Sequence, residues 1–152
     1  MVIEIRKARK KDFKEMNKIN DFEKILNKCS PLDKLDSSKT QGYFRKFLYS
    51  KDKWIYLAEE ENELLGFILF NIEKRPSYWK VKKVGYVDFV FVKNLARRKG
   101  ISKLLIKKAQ EILKKNKMKY FYLLVQTDNL RAVEVWKKQG FKEFIVEMYK
   151  EL

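Results

Sequence analysis

Histidine is absent from the 152-residue sequence, and cysteine occurs once, at Cys29. The first absence removes Ser-His-Asp and Cys-His machinery, both of which need an imidazole to carry the proton. Together the two count against zinc, which takes three or four Cys, His or carboxylate ligands, and no metal is expected. One thiol forms no internal disulfide, so a reducing compartment suits the chain. No apolar run approaches the roughly 20 residues that span a bilayer. Residues 1–7 hold no apolar leader core. These readings predict a cytoplasmic protein without membrane contact. Any proton transfer falls to carboxylates, tyrosine, lysine, Cys29, a terminus or water.

What is present argues for a folded protein. The chain is 45% hydrophobic and 14% aromatic, which supports a core rather than disorder. Its length fits one domain over 1–152. Lysine and arginine number 36 against 20 acids, a net charge of +16. The excess is not a tail: residues 1–83 carry 20 bases and 13 acids, and residues 84–152 carry 16 and 7. The densest stretch, 93–119, holds eleven bases and one acid, Glu111. Such a patch attracts nucleic acid, acidic surfaces or phosphorylated cofactors. Solvated lysine-rich faces explain many of the same residues. No helix-turn-helix, RRM or OB pattern is evident, so nucleic acid ranks last among these partners.

The periodicities predict a β-α-α-β-β-β-α-β-α-β order. A first strand covers 2–5, and a helix follows with Asp12 as N-cap and a break near Asn20. Residues 28–39 read as a loop, and 38–49 as a second helix. Strands at 54–58 and 64–72 flank a polar turn and form an antiparallel hairpin. Residues 73–83 are a basic, aromatic loop. The almost continuous apolar run 84–92 is a central strand buried on both faces, with one acid, Asp88. Helix 100–116 carries Ile101, Leu104, Leu105, Ala109, Ile112 and Leu113 at helical spacing. Strand 120–126, helix 130–139 ended by Gly140, and strand 141–149 complete the chain. The strand-helix-strand unit 84–126 should be a right-handed crossover. Trp54, Phe67 and Phe70 read as core, and Cys29 as a packing residue.

Residues 87–105 stand out. A strand runs into a short basic loop and then a helix start, where backbone N–H groups lack intrahelical partners and the helix dipole is positive. Arg97, Arg98, Lys99 and Lys103 add full charge. The combination predicts an anion site, most simply for phosphate.

Two segments then carry a resemblance. Arg97-Arg98-Lys99-Gly100-Ile101-Ser102 resembles the R/Q-x-x-G-x-G/A signature of the GNAT superfamily of N-acetyltransferases. Residues 129–141, from Asn129 through Ala132 and Trp136 to Gly140-Phe141, resemble its second signature, N-x-x-A-x-x-x-Y-x-x-x-G-F. The resemblance implies a GNAT-like α/β (α+β) fold: a mixed, mostly antiparallel sheet of six to seven strands with helices on both faces. The sheet should splay between the strands at 84–92 and 120–126. It implies acetyl-CoA as cofactor, with the pyrophosphate on backbone N–H groups of Arg98, Lys99, Gly100, Ile101, Ser102 and Lys103, beside Arg97. The pantetheine arm would lie along Phe89, Val90, Phe91 and Val92, with Asn129, Ala132 and Trp136 opposite. The N–H of Val90 or of Val92 would face the thioester oxygen.

The implied activity is acetyl transfer from acetyl-CoA to a primary amine of a small molecule or peptide, by direct attack in a ternary complex. Asp88 is the candidate base, working through water; as a structural acid it would instead pair with Tyr or Lys across the sheet. Trp136 stands where the family often has an acidic tyrosine. An indole cannot release its proton, which leaves Tyr149, Tyr122 or water to protonate the thiolate. The same departure motivates a CoA-binding module without catalysis. A homodimer agrees with family habit.

Overall fold

The computed structural model describes residues 2–18, 32 and 36–152. The expected break near Asn20, Cys29 and most of the loop expected over 28–39 lie outside them. Four strands follow one another antiparallel: β1 Glu4–Lys7, β2 Lys53–Glu60, β3 Glu63–Lys74 and β4 Lys83–Val92. The fifth, β5 Phe121–Leu123, runs parallel to β4. The spatial order is the chain order, β1-β2-β3-β4-β5. The helices are α1 Phe13–Asn17, α2 Ser37–Leu48, α3 Ile101–Lys115 and α4 Leu130–Lys138. The fold is thus the mixed, mostly antiparallel α/β sheet with helices on both faces that the resemblance implied.

The sheet divides two cores. On one face α1 and α2 bury Phe13, Met16, Phe44 and Phe47 against Ile55, Leu57, Phe67 and Leu69. On the other, α3 buries Ile101, Leu105, Ile106, Ala109 and Leu113 against Ala58, Ile68, Phe70 and Val87. β3 therefore has side chains buried on both faces, which explains its nearly unbroken apolar composition. The β2–β3 hairpin turns through Glu61 and Asn62, both with positive φ, the backbone of a tight turn that matches strand twist.

Three expectations are corrected. The sheet has five strands among the described residues rather than six or seven, because residues 141–152 form no strand. That segment keeps an apolar pattern but has no edge beside it to complete a ladder. Asp12 does not cap α1 through its side chain. Its carboxylate instead accepts from the Arg9 N–H at 2.7 Å and from the Arg6 guanidinium. The expected loop at 73–83 is shorter, since β3 runs to Lys74 and β4 begins at Lys83.

Candidate functional site

β4 and β5 pair at only three positions, Gly85 with Phe121, Tyr86 with Tyr122 and Val87 with Leu123. β5 ends there, while β4 continues to Val92. The last five residues of β4 therefore border an opening on that side. Which backbone groups face it follows from the register. The Lys93 N–H donates to Leu65 O at 2.9 Å. Strand alternation then turns Phe91 and Phe89 toward β3 as well, and turns the N–H groups of Val90 and Val92 toward the opening. Their side chains lie in the α3 core, whereas Phe89 and Phe91 belong to the α2 core.

A bulge at Asp88 sets this phase. Leu69 pairs with Phe89 and Phe70 with Val87, so Asp88 has no partner across β3. Before the bulge odd-numbered residues face β5, as the Gly85 N–H shows by donating to Tyr120 O at 2.9 Å. After it even-numbered residues do. Without the extra residue, Val90 and Val92 would present their N–H groups to β3.

The chain leaves β4 through a turn at Asn94–Ala96. Arg97 is partly buried and its Nε donates to Val92 O at 3.1 Å, which ties the loop to the strand end. Arg98 and Gly100 have φ of 66° and 75°. Left-handed residues interleaved with ordinary ones curve the backbone so that successive N–H groups converge, an anion-binding shape. At Gly100 a Cβ would meet no atom within 4 Å, so glycine serves the positive φ there. α3 starts at Ile101 without a side-chain cap, which leaves the first N–H groups of the helix free for an anion. The Ile101 side chain itself is core. Lys99 and Lys103 are exposed beside this loop, and Ser102 is half-exposed.

On the α2 face the bulge directs Asp88 at two partners. The Tyr43 hydroxyl of α2 donates to Asp88 Oδ1 at 2.5 Å. Asn71 Nδ2 of β3 donates to Oδ2, also at 2.5 Å. Burial pushes the Asp88 carboxyl above its ordinary range, while the Tyr43 and Asn71 hydrogen bonds hold it back. The Tyr43 phenol is pushed up by burial and by its bond to Asp88. One strand further along, the Tyr122 hydroxyl donates to Glu73 Oε2 at 2.5 Å, and burial and this bond push that phenol up. Tyr86 and Tyr122 pack with ring centroids 4.8 Å apart. Register places Asn71, Glu73, Tyr86 and Tyr122 on one face, so two carboxylates and three tyrosines gather in a chain of opposite net charge.

The second signature builds the far side of the opening. The Asn129 side chain caps α4 by accepting from the Ala132 N–H at 3.2 Å. Trp136 packs edge-on against Phe141, centroids 5.8 Å apart, and joins the α3 core. Tyr149 is 60% exposed within the unpaired segment after Gly140, and no hydrogen bond joins it to Asp88. Sequence reasoning missed Tyr43, Asn71, Glu73 and Tyr86. One signal was available: Asn71 is the lone amide in the apolar run of β3, as Asp88 is the lone acid in β4. A separate cavity of about 180 Å³ lies near the β2–β3 turn. Its carboxylates are already paired, Asp12 and Glu59 with Arg6 and Glu63 with Lys93.

The geometry has close counterparts. The model of the acetyltransferase (GNAT) family matches residues 19–141, and the chain belongs to that family. An uncharacterized N-acetyltransferase of Methanocaldococcus jannaschii is 30% identical over 121 residues, which cover 66% of this chain and 50% of that protein. The chain thus spans about half the length of that relative. An N-alpha-acetyltransferase of Sulfurisphaera tokodaii is 28% identical over 144 residues, 91% of this chain and 80% of its own. A predicted acetyltransferase of Clostridium acetobutylicum, solved with acetyl-CoA, superposes with a TM-score of 0.77 at 21% identity. That match covers 99% of this chain and 96% of the other.

Proposed function

We propose that the protein is an N-acetyltransferase that moves the acetyl group of acetyl-CoA to a primary amine. The observation that carries this reading is the opening beside β4, with the N–H groups of Val90 and Val92 turned into it and the anion-binding loop at its end. The relatives named as N-acetyltransferases support the reaction, and the structural neighbour solved with acetyl-CoA supports the donor. The free N–H groups from Arg98 to Lys103, with the nearby lysines, suit a pyrophosphate. The pantetheine arm would extend along Val90 and Val92 as an added strand, with Asn129, Ala132 and Trp136 opposite.

The amine reaches the thioester from the α2 face. A free primary amine is mostly protonated at neutral pH, and Asp88 and Glu73 would attract it in that form. Asp88 takes the proton through water, its raised carboxyl suiting the task. The neutral nitrogen attacks the thioester carbon, and the Val90 or Val92 N–H stabilises the oxyanion; one such donor is worth roughly 10²–10³ in rate. The C–S bond then breaks, and the thiolate takes a proton from solvent. Its ordinary pKa near 8.5 makes it a fair leaving group without a dedicated acid. Tyr122 holds its proton toward Glu73, so it is a poor donor.

The acceptor chemistry that fits this face is an amine presented in cationic form, such as a peptide N-terminus or a small polyamine. The experiment follows thiol release from acetyl-CoA with peptides, amino acids, polyamines and aminoglycosides. Amine-dependent release that falls about 100-fold or more in Asp88→Asn supports the proposal. Acetyl-CoA that is bound and never consumed would favour a binding module, the reading motivated by Trp136. Acetyl-CoA that is not bound at all would refute both.

A further inference from the structure

We propose that residues 142–152 are a β-strand for a second copy of the chain, added to the free edge of its β5, with the exchange made in both directions. The segment reads as a strand. Phe144, Val146 and Met148 fall on one side at period two, and Glu143, Ile145, Glu147, Tyr149 and Glu151 on the other. Phe, Val, Ile and Tyr are strand-favouring residues. Yet the segment has no assigned strand, and no backbone hydrogen bond joins it to the rest of the described chain. Phe144, Ile145, Val146 and Met148 are 66–92% exposed. Four consecutive-to-alternate apolar side chains left in water mark an interaction surface.

The place such a strand would fill is bare at the same end of the molecule. β5 is the last strand of the sheet, only three residues long and half-buried. Beside it α4 has no buried residue, although its sequence is amphipathic. Leu124 and Val135 are 61% and 37% exposed. An open strand edge is a template for strand addition, and here the complementary strand belongs to the same sequence.

The chain does not use its own edge. The Phe141 N–H donates to Trp136 O as α4 ends, and the Phe141 ring packs on Phe121. Phe144 reaches Tyr122, on the opposite face of β5. The backbone therefore crosses the edge of β5 instead of running along it, and then departs. Charge favours a second copy as the recipient. The segment carries three glutamates and two lysines in a protein of +16, so it is attracted to the basic body of another copy while two bodies alone repel. Reciprocal exchange of one element is a low-cost route to a two-fold dimer.

The test uses the full chain. Sedimentation at tens of micromolar should give a dimer. Val146→Pro removes a strand donor at an exposed position with no hydrogen bond of its own, so circular dichroism and melting of the subunit should hold while the dimer dissociation constant rises at least tenfold. The second measurement mixes two differently tagged chains, each with Cys29→Ser, one carrying Leu123→Cys and the other Cys at position 144, 146 or 148 in turn. A disulfide between the two tags, at one position of the three, is the expected result. A monomer, a dimer indifferent to Val146→Pro, or a disulfide formed only within a chain carrying both cysteines would overturn the proposal.

Discussion

Gly66 sits opposite Val92 in the β3–β4 pair. A Cβ built there would lie inside 3 Å of the Phe91 carbonyl oxygen and 3.2 Å from Val92 Cα. An ordinary carbon–oxygen contact is about 3.3–3.6 Å, so Gly66→Ala must part the two central strands by roughly 0.5 Å or more. Both offending atoms are backbone, and no rotamer change can move them aside. Overpacking of this kind costs about 1–3 kcal/mol, against a gain of about 0.5–1 kcal/mol for replacing a strand glycine. The net loss, about 1–2 kcal/mol, corresponds to a melting temperature about 2–8 °C lower in a chain of this size. The displaced atoms are those of Val92, so the proposed activity should fall too, by about 10² for a shift near 1 Å. Differential scanning calorimetry and thiol release, on Gly66→Ala beside Gly42→Ala, make the comparison. Gly42 lies exposed in α2, where a new Cβ meets nothing within 4 Å, and that change should stabilise by up to about 1 kcal/mol. A Gly66→Ala protein as stable and active as Gly42→Ala would refute the reasoning.

Other perturbations test other parts. Tyr43→Phe takes a donor from the ionised Asp88 carboxylate, which moves its pKa further up; the acid limb of the kcat/KM profile should shift to higher pH, with a larger loss at pH 6 than at pH 8. An unmoved limb would mean that Asp88 is not the titrating group. Arg6 holds Asp12 and Glu59 through four hydrogen bonds of 2.7–2.9 Å, with all three side chains at most 17% exposed. Arg6→Met strands two carboxylates and should cost about 3 kcal/mol in urea unfolding at pH 7. Asp12 is held below its ordinary 3.8, chiefly by its hydrogen bonds to Arg6. Its contribution is complete above that value and is lost as pH falls through the folded pKa. The gap between wild type and variant should therefore narrow at pH 3, and a constant gap would contradict the ion-pair account.

Much of the site was legible because its elements are locally encoded. The apolar run of β4, the helical spacing from Ile101 to Leu113 and the cap at Asn129 each need only their own residues. What escaped depends on pairing. A bulge adds one residue to one strand, and its sole trace in the sequence is the acid at Asp88 inside an apolar run. The partners of that acid come from a helix and a neighbouring strand, Tyr43 and Asn71, which lie 45 and 17 residues away. Both open readings of Asp88 find support here. It is paired with a tyrosine, as a structural acid would be, and it lies beside the opening, as a base must. Asp12 looked like a cap for the helix after it because the local pattern cannot reveal an arginine in β1. The final strand failed for the complementary reason: alternation over 141–149 marks a segment able to pair, but a ladder needs an edge that a single chain does not offer it.

The central claim is that acetyl-CoA lies in the opening beside β4 and is held by the backbone of Val90 and Val92. Residue-resolved amide hydrogen exchange with and without CoA tests it most directly. The N–H groups of Val90 and Val92 face the opening, while those of Phe89 and Phe91 are bonded to β3. Added CoA should slow exchange at positions 90 and 92 and at 98–103, and leave 89 and 91 nearly unchanged. Protection that appears elsewhere on the sheet, or equally at all four positions of β4, would contradict the account.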